Sequence, residues 1–181
     1  FRFSGPKTPR KVAQFEEELA RFMGTKYALA VTSGTAALHC ALTALAVGPG
    51  DEVILPAWTW YSCYNTILLT GALPVFAEVD ESFNLDPEDI EKKITARTKA
   101  IMVVHLYGGP ADIGKILAVA RKRKVRVLED AAQSVGAQYK GRRLGSLGDI
   151  GIYSFQTSKI ITAGEGGAVV TSDPRLFERA T

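Results

Sequence analysis

The sequence is poor in the residues that most often hold metals or build disulfide frameworks, with two cysteines and two histidines among 181 residues. Cys40 and Cys63 sit inside apolar segments with no metal-ligand spacing around them, so neither a zinc site nor a disulfide scaffold is expected. Two buried free thiols in a reducing compartment are expected instead. No apolar run approaches the roughly 18 residues that cross a bilayer, and the chain opens on no secretory segment. A soluble, cytoplasmic protein without a membrane partner follows as the expectation. Charge of one sign is scarce too: the net charge of +3 favours anionic ligands such as phosphates only mildly and gives no ground for a nucleic-acid partner. The one dense basic run, Arg121-Lys122-Arg123-Lys124 with Arg126 just beyond, reads as the solvated last turn of a helix, where positive side chains complement the dipole. Repeats and low-complexity segments are lacking, and 46% hydrophobic with 23% charged residues suits one domain with its own core.

What is present is alternation. Thr8-Pro9 reads as a helix start, followed by an apolar face of Val12, Phe15, Leu19 and Phe22 that Gly24 ends. Short continuous apolar runs at Tyr27 to Val31, Val53 to Leu55, Pro74 to Ala77, Ala100 to Val104 and Val125 to Leu128 read as buried strands. Between them, Ala36 to Ala46, Trp60 to Leu69, Asp86 to Lys93 and Ile113 to Arg123 read as helices. This order predicts an α/β fold around a mostly parallel sheet covered on both faces. Beyond Asp130, glycines punctuate short apolar runs such as Ile150 to Phe155 and Gly167 to Val170, which predicts close strands joined by glycine-rich turns. A last helix is expected from Pro174 to Thr181.

Open α/β sheets bind ligands beyond the carboxyl ends of their strands, so the polar residues that follow apolar runs are the candidates. Ser33-Gly34-Thr35 opens a helix. Its first turn could hold a phosphate on free backbone N–H groups, or Ser33 could be an N-cap and nothing more. Asp130 follows a buried strand, where a carboxylate needs a partner: a protonated ring nitrogen, or a helix that it caps. Trp60 could stack on a flat heterocycle or pack in the core. Lys159, between apolar strands and glycine-rich turns, is either a desolvated nucleophile or an exposed turn residue, with Ser154 and Ser158 offering hydroxyls nearby. His105 at a strand end reads as a positioned structural group or a catalytic one, and His39 on its apolar helix as core or interface.

The order of these segments resembles the DegT/DnrJ/EryC1/StrS family of sugar aminotransferases, which use pyridoxal phosphate (PLP) and have fold type I. The resemblance rests on Ser33 to Leu38, Gly48 to Val53, Thr59-Trp60, His105 to Gly108, Glu129 to Ser134, Gly148 to Ile150, Ser154-Phe155, Lys159 and Gly164 to Val170. It implies a three-layer α/β sandwich with a mixed, mostly parallel sheet. It also implies that Lys159 carries the cofactor as a Schiff base and shuttles the proton, and that Asp130 pairs with the pyridine nitrogen. Gln133 would lie beside the phenolic oxygen, Trp60 would stack on the ring, and Gly34, Thr35 and Ser154 would cup the phosphate. Glu165 matches a family position near the active site without an assigned task. The implied reaction moves an amino group from an amino acid, usually glutamate, to a keto-sugar attached to a nucleotide, in a homodimer. A sugar or cyclitol dehydratase and a non-catalytic scaffold of the same fold are the alternatives. Members of the family are roughly twice as long as this chain, as two-domain enzymes are. Residues 1–181 therefore correspond to the PLP-binding large domain, and the C-terminal small domain is expected to be absent from this chain.

Overall fold

A computed structural model describes residues 10–181, and its elements follow the alternation in the sequence. Helix α1 (Lys11–Met23) ends at Gly24, whose φ of 74° places it in the left-handed region that glycine enters at little cost. The expected start at Thr8-Pro9 lies outside the described residues. The apolar face of α1 also differs from expectation. Leu19, Ala20 and Met23 are buried, whereas Val12 and Phe22 are exposed, Phe22 beneath the Arg143 guanidinium at 4.4 Å.

The chain continues through β1 (Tyr27–Val31), α2 (Gly34–Ala44), β2 (Glu52–Pro56), α3 (Tyr61–Leu69) and β3 (Leu73–Ala77). Next come α4 (Pro87–Lys93), β4 (Thr98–Val104), α5 (Ile113–Arg123) and β5 (Arg126–Asp130). A small hairpin of β6 (Gln138–Tyr139) and β7 (Arg142–Arg143) precedes β8 (Ile150–Ser154), β9 (Gly167–Thr171) and α6 (Pro174–Ala180). Four of the α-helix starts are set by side-chain caps: Ser33, Asp86, Asp112 and Asp173 each accept a hydrogen bond from a first-turn N–H. Two expected boundaries move. Ser33 brings Gly34 and Thr35 into the first turn of α2, and Trp60 flanks α3 rather than opening it. The basic run does close α5, and Lys122 and Arg123 pair with Glu91 on α4.

Seven strands form one sheet in the order β1-β9-β8-β5-β4-β2-β3. β2, β3, β4, β5 and β8 are parallel, while β9 runs antiparallel to both β8 and β1. Only β9 is therefore reversed, and the other six strands deliver their carboxyl ends to one edge. Strand alternation sends Ala100, Met102 and Val104 of β4 to one face, with α2, α3 and α6, and Ile101 and Val103 to the other, with α4 and α5. α1 covers the second face farther along, over Ala28, Tyr153, Ala168 and Val170. The result is the mixed, mostly parallel three-layer sandwich that the sequence suggested.

The alternation at the end of β5 has a further consequence. Glu129 points to the second face, where it is fully buried. Its Oε2 accepts from His105 Nε2 (2.9 Å) and the Gly145 N–H (3.0 Å), and its Oε1 accepts from the Leu147 and Gly148 N–H groups (both 2.6 Å). One carboxylate thus satisfies three loop amides and a histidine that the interior would otherwise leave unpaired. Glu129→Ala should lower the unfolding free energy by about 3–5 kcal/mol, read from urea denaturation at neutral pH. A loss under about 1 kcal/mol would show that the loop finds other acceptors.

Candidate active site

Five of the six aligned strands, β1, β2, β4, β5 and β8, place their ends or the residues that follow around one cleft of about 400 Å³. From the end of β1 come Ser33, Gly34 and Thr35. The Ser33 Oγ accepts the Ala36 N–H (3.1 Å), so the residue is an N-cap, yet the Gly34 and Thr35 N–H groups at the head of α2 still have no intrahelical acceptor. Gly34 is required by contact: a Cβ there would lie 2.8 Å from the Cβ of Ser154, which ends β8. Gly167, which pairs with Ser154 and with Val31, is equally constrained, because a Cβ on it would overlap the Ser33 backbone. These close approaches bring the helix start and the Ser154 hydroxyl to the same wall of the cleft.

Trp60 follows β2 and is 58% exposed, against the core-packing alternative; it leans on Tyr61 with ring centroids 4.9 Å apart. Asp130 ends β5 on the face opposite to Glu129. No helix follows it, which removes the helix-cap alternative; instead its Oδ1 accepts the Ala132 N–H (2.9 Å) and its Oδ2 accepts from the Cys63 thiol (3.4 Å). Gln133, two residues beyond Ala131, has its Oε1 fixed by the Tyr107 N–H (2.9 Å), so the amide is held in place at the cleft wall. Lys159 lies half-buried in the turn after β8, its N–H bonded to the Gln156 carbonyl (2.9 Å). In the same turn the Ser158 Oγ donates to Gln156 Oε1 (2.6 Å), so this hydroxyl is already engaged. Gly34, Thr35, Trp60, Asp130, Gln133, Ser154 and Lys159, named from sequence, all line the one cleft, as does Glu165.

Other residues fall elsewhere. His105 lies behind the cleft, fully buried: its Nδ1 accepts the Ala111 N–H (3.2 Å) and its Nε2 meets Glu129, an arrangement that assigns the Nε2–H tautomer and a structural task. His39 is exposed on α2, so it is not a core residue, and Cys40 is half-buried rather than buried because it sits toward the outer side of that helix. Sequence reasoning missed Tyr61, Ser62 and Gln156 as cleft residues and Cys63 as a partner of Asp130. The Ser62 and Thr35 hydroxyls are 3.0 Å apart. Their signal was available: Tyr61 to Cys63 open the helix that follows β2, as Gly34 and Thr35 open the one that follows β1.

Burial pushes the Asp130 carboxyl above the usual carboxylate range, against the pull of the Ala132 N–H, the Cys63 thiol and the positive charge of Lys159. An acid group so placed, facing a cleft, fits a cationic ring nitrogen, and the open N–H groups of α2 beside Ser154 fit a phosphate. Flat aromatic surface at Trp60 and a primary amine at Lys159 complete a set that suits an aldehyde-bearing heterocycle with a phosphate tail.

Such a sheet, with its cleft at the carboxyl edge and a lysine following the strand next to the reversed one, is the large-domain architecture of fold-type I PLP transferases. The chain belongs to the DegT/DnrJ/EryC1/StrS aminotransferase family, whose match covers residues 6–181. It is 49% identical over 168 residues to GDP-perosamine synthase of Caulobacter vibrioides, covering 92% of this chain and 45% of that protein. It is also 49% identical over 170 residues to the spore coat polysaccharide biosynthesis protein SpsC of Bacillus subtilis, covering 93% and 44%. Among solved structures, the aminotransferase from Psychrobacter cryohalolentis superposes with a TM-score of 0.93 at 46% identity, covering 96% of this chain and 44% of that one. DesV of S. venezuelae, solved in complex with a ketimine intermediate, superposes with a TM-score of 0.92 at 43% identity, covering 96% and 47%. The chain spans a little under half the length of the curated relatives it matches. No helix among the described residues is long and apolar enough to cross a membrane.

The raised pKa of Asp130 has a measurable sign. The folded chain holds that proton more tightly than the unfolded chain, so this group's contribution to stability is full below the ordinary carboxylate pKa of about 4. It is lost as pH rises toward the raised folded value. Asp130→Asn removes the effect. The stability of the variant minus that of the native chain, from urea denaturation without added cofactor, should therefore grow from about pH 4 upward and then level off. A difference that stays flat across this range would mean that Asp130 is not a buried acid.

Proposed function

We propose that residues 1–181 act as the cofactor-binding large domain of a PLP-dependent aminotransferase, one that moves an amino group from an amino acid, glutamate first among them, to a keto-sugar carried on a nucleotide. The observation that carries this reading is the placing of a lysine and a buried aspartate on one cleft, beneath the open end of a helix. PLP, when bound, supplies an electron sink for the carbanion formed at the substrate carbon. The chain's own residues supply the rest. The Gly34 and Thr35 N–H groups and the Ser154 hydroxyl hold the phosphate, and Trp60 offers its face to the ring. Asp130 keeps the ring nitrogen protonated, and in turn its buried charge gains the cation that the protein withholds. Gln133, its Oε1 held by the Tyr107 N–H, would offer its amide to the phenolic oxygen. Lys159, anchored through its backbone but free along its side chain, binds the cofactor through Nζ. Its amine would hold and move a proton at the reacting carbon. A lysine at this place favours amino transfer over the dehydratase alternative, and the presence of both Lys159 and Asp130 favours catalysis over a scaffold role.

We also infer a homodimer. The exposed Trp58, Trp60 and Tyr61 gather apolar area by the cleft that a second subunit would cover.

The test is spectroscopic. Purified protein with added PLP should develop a visible absorption band, and borohydride should fix the cofactor to the peptide that contains Lys159. Lys159→Ala should show neither, and Asp130→Asn should weaken PLP binding by about 100-fold. A native protein without the band, or an adduct that persists in Lys159→Ala, overturns the assignment. Glutamate should then convert the band with release of 2-oxoglutarate. Loss of water from a nucleotide-sugar without any need for glutamate would establish the dehydratase instead.

A further inference from the structure

Cys63 has no task in the reading above, yet it is placed as though it had one. It lies in the first turn of α3 and is 1% exposed. Its Sγ is 3.4 Å from Asp130 Oδ2 and 3.3 Å from Thr59 Oγ1. Thr59, Cys63 and Asp130 thus form a chain of side chains running from the loop after β2 to the end of β5. Asp130 has two carboxylate oxygens to satisfy in a buried position. Oδ1 is held by its neighbour's backbone, the Ala132 N–H. Oδ2 is held by a residue 67 positions away, on a separate element. Fixing both oxygens fixes the plane of the carboxylate, which a single bond would leave free to turn about χ2.

We infer that Cys63 is a positioning residue: its thiol, oriented by Thr59, donates to Asp130 Oδ2 and so sets the plane and proton affinity of the carboxylate that faces the cofactor's ring nitrogen. The inference rests on the PLP reading for the identity of that partner, and on the geometry of this chain for the contact itself. The chemistry agrees. Burial, with the nearby Asp130 charge, pushes the thiol well above its ordinary pKa, so it remains an S–H donor at neutral pH rather than a second anion. A thiol is a weaker donor than a hydroxyl, so it orders the carboxylate without binding it so firmly that proton sharing with the ring nitrogen is suppressed. The titratable groups that face Asp130 are Cys63 from α3, His105 from the end of β4 and Lys159 from the turn after β8. Of these, only Cys63 makes a hydrogen bond to the carboxylate.

The experiment follows the Asp130 carboxyl by carbon-13 NMR in the cofactor-free protein, its signal identified by loss in Asp130→Asn. Cys63→Ala should raise the titration midpoint by about half a unit to one unit. Cys63→Ser, which restores a donor of similar size, should return it to the native value or below, and Thr59→Val should shift it in the same direction as Cys63→Ala by a smaller amount. With PLP present, Cys63→Ala should weaken binding by about 3- to 10-fold, with rescue by serine. A cavity effect alone would move stability but not the midpoint, and would not be reversed by serine. Equal midpoints in native, Cys63→Ala and Cys63→Ser proteins overturn the inference while leaving the PLP reading intact. A native protein that takes up no PLP overturns that reading and the cofactor part of this inference with it, whatever the midpoints show.

Discussion

Two adjacent carboxylates at the end of a central, fully covered strand are the constraint around which the rest of the structure is arranged. A buried carboxylate is costly unless it is paired. Because successive residues of a strand point to opposite faces, Glu129 and Asp130 cannot share a solution. Glu129 is solved internally: three backbone N–H groups and His105 surround it, and the glycine-rich segment between β7 and β8 folds over it to supply them. Asp130 receives one backbone N–H and one thiol and then faces the cleft. The carboxylate that the protein leaves less fully compensated is the one directed at the cleft. Structure and binding capacity therefore come from the same dipeptide, separated only by the pleat.

The direction of the strands decides what can join Asp130. With β9 as the sole reversed strand, the ends of β1, β2, β4, β5 and β8 converge, and each contributes to one wall. Convergence alone would leave the pieces too far apart. The contacts of Gly34 with Ser154 and of Gly167 with the Ser33 backbone bring the head of α2 down onto the end of β8, so the amide groups and the hydroxyl lie together. Side chains of any size at 34 or 167 would separate them. The reversed strand serves this end: by pairing with both β1 and β8, β9 carries Gly167 into the gap between them.

Much of this was legible in the sequence, for identifiable reasons. Continuous apolar runs such as Ile101 to Val104 mark strands covered on both faces, and the layers follow from the helices between them. Polar residues placed just after those runs located the cleft, because the edge of a parallel sheet is where side chains escape the core. Boundaries were less legible where a cap decides them: the apolar pattern starts α2 at Ala36, and only the Ser33 cap, one of two readings of that residue, adds Gly34 and Thr35. The exposure of Trp60 and His39, the burial of His105 and the distance from Cys63 to Asp130 depend on which elements meet, and a separation of 67 positions leaves no local trace of that contact. Phe22 illustrates the limit from the other side. Its helical spacing assigns it to an apolar face, but only the fold shows that an arginine, not the core, covers that ring.

The two groups proposed for chemistry stand on supports of different stiffness, and the difference matches their tasks. Asp130 is on a strand paired on both sides, with its carboxylate held at both oxygens. A charge partner for a ring nitrogen works by constancy: any swing of its plane would change the proton affinity at the ring during the reaction. Lys159 is on a turn whose backbone is tied through Gln156, while its side chain remains half-buried and long. A group proposed to move a proton between two atoms needs reach from a fixed origin. A lysine on the strand itself would have the origin without the reach. The turn immediately after β8 supplies both.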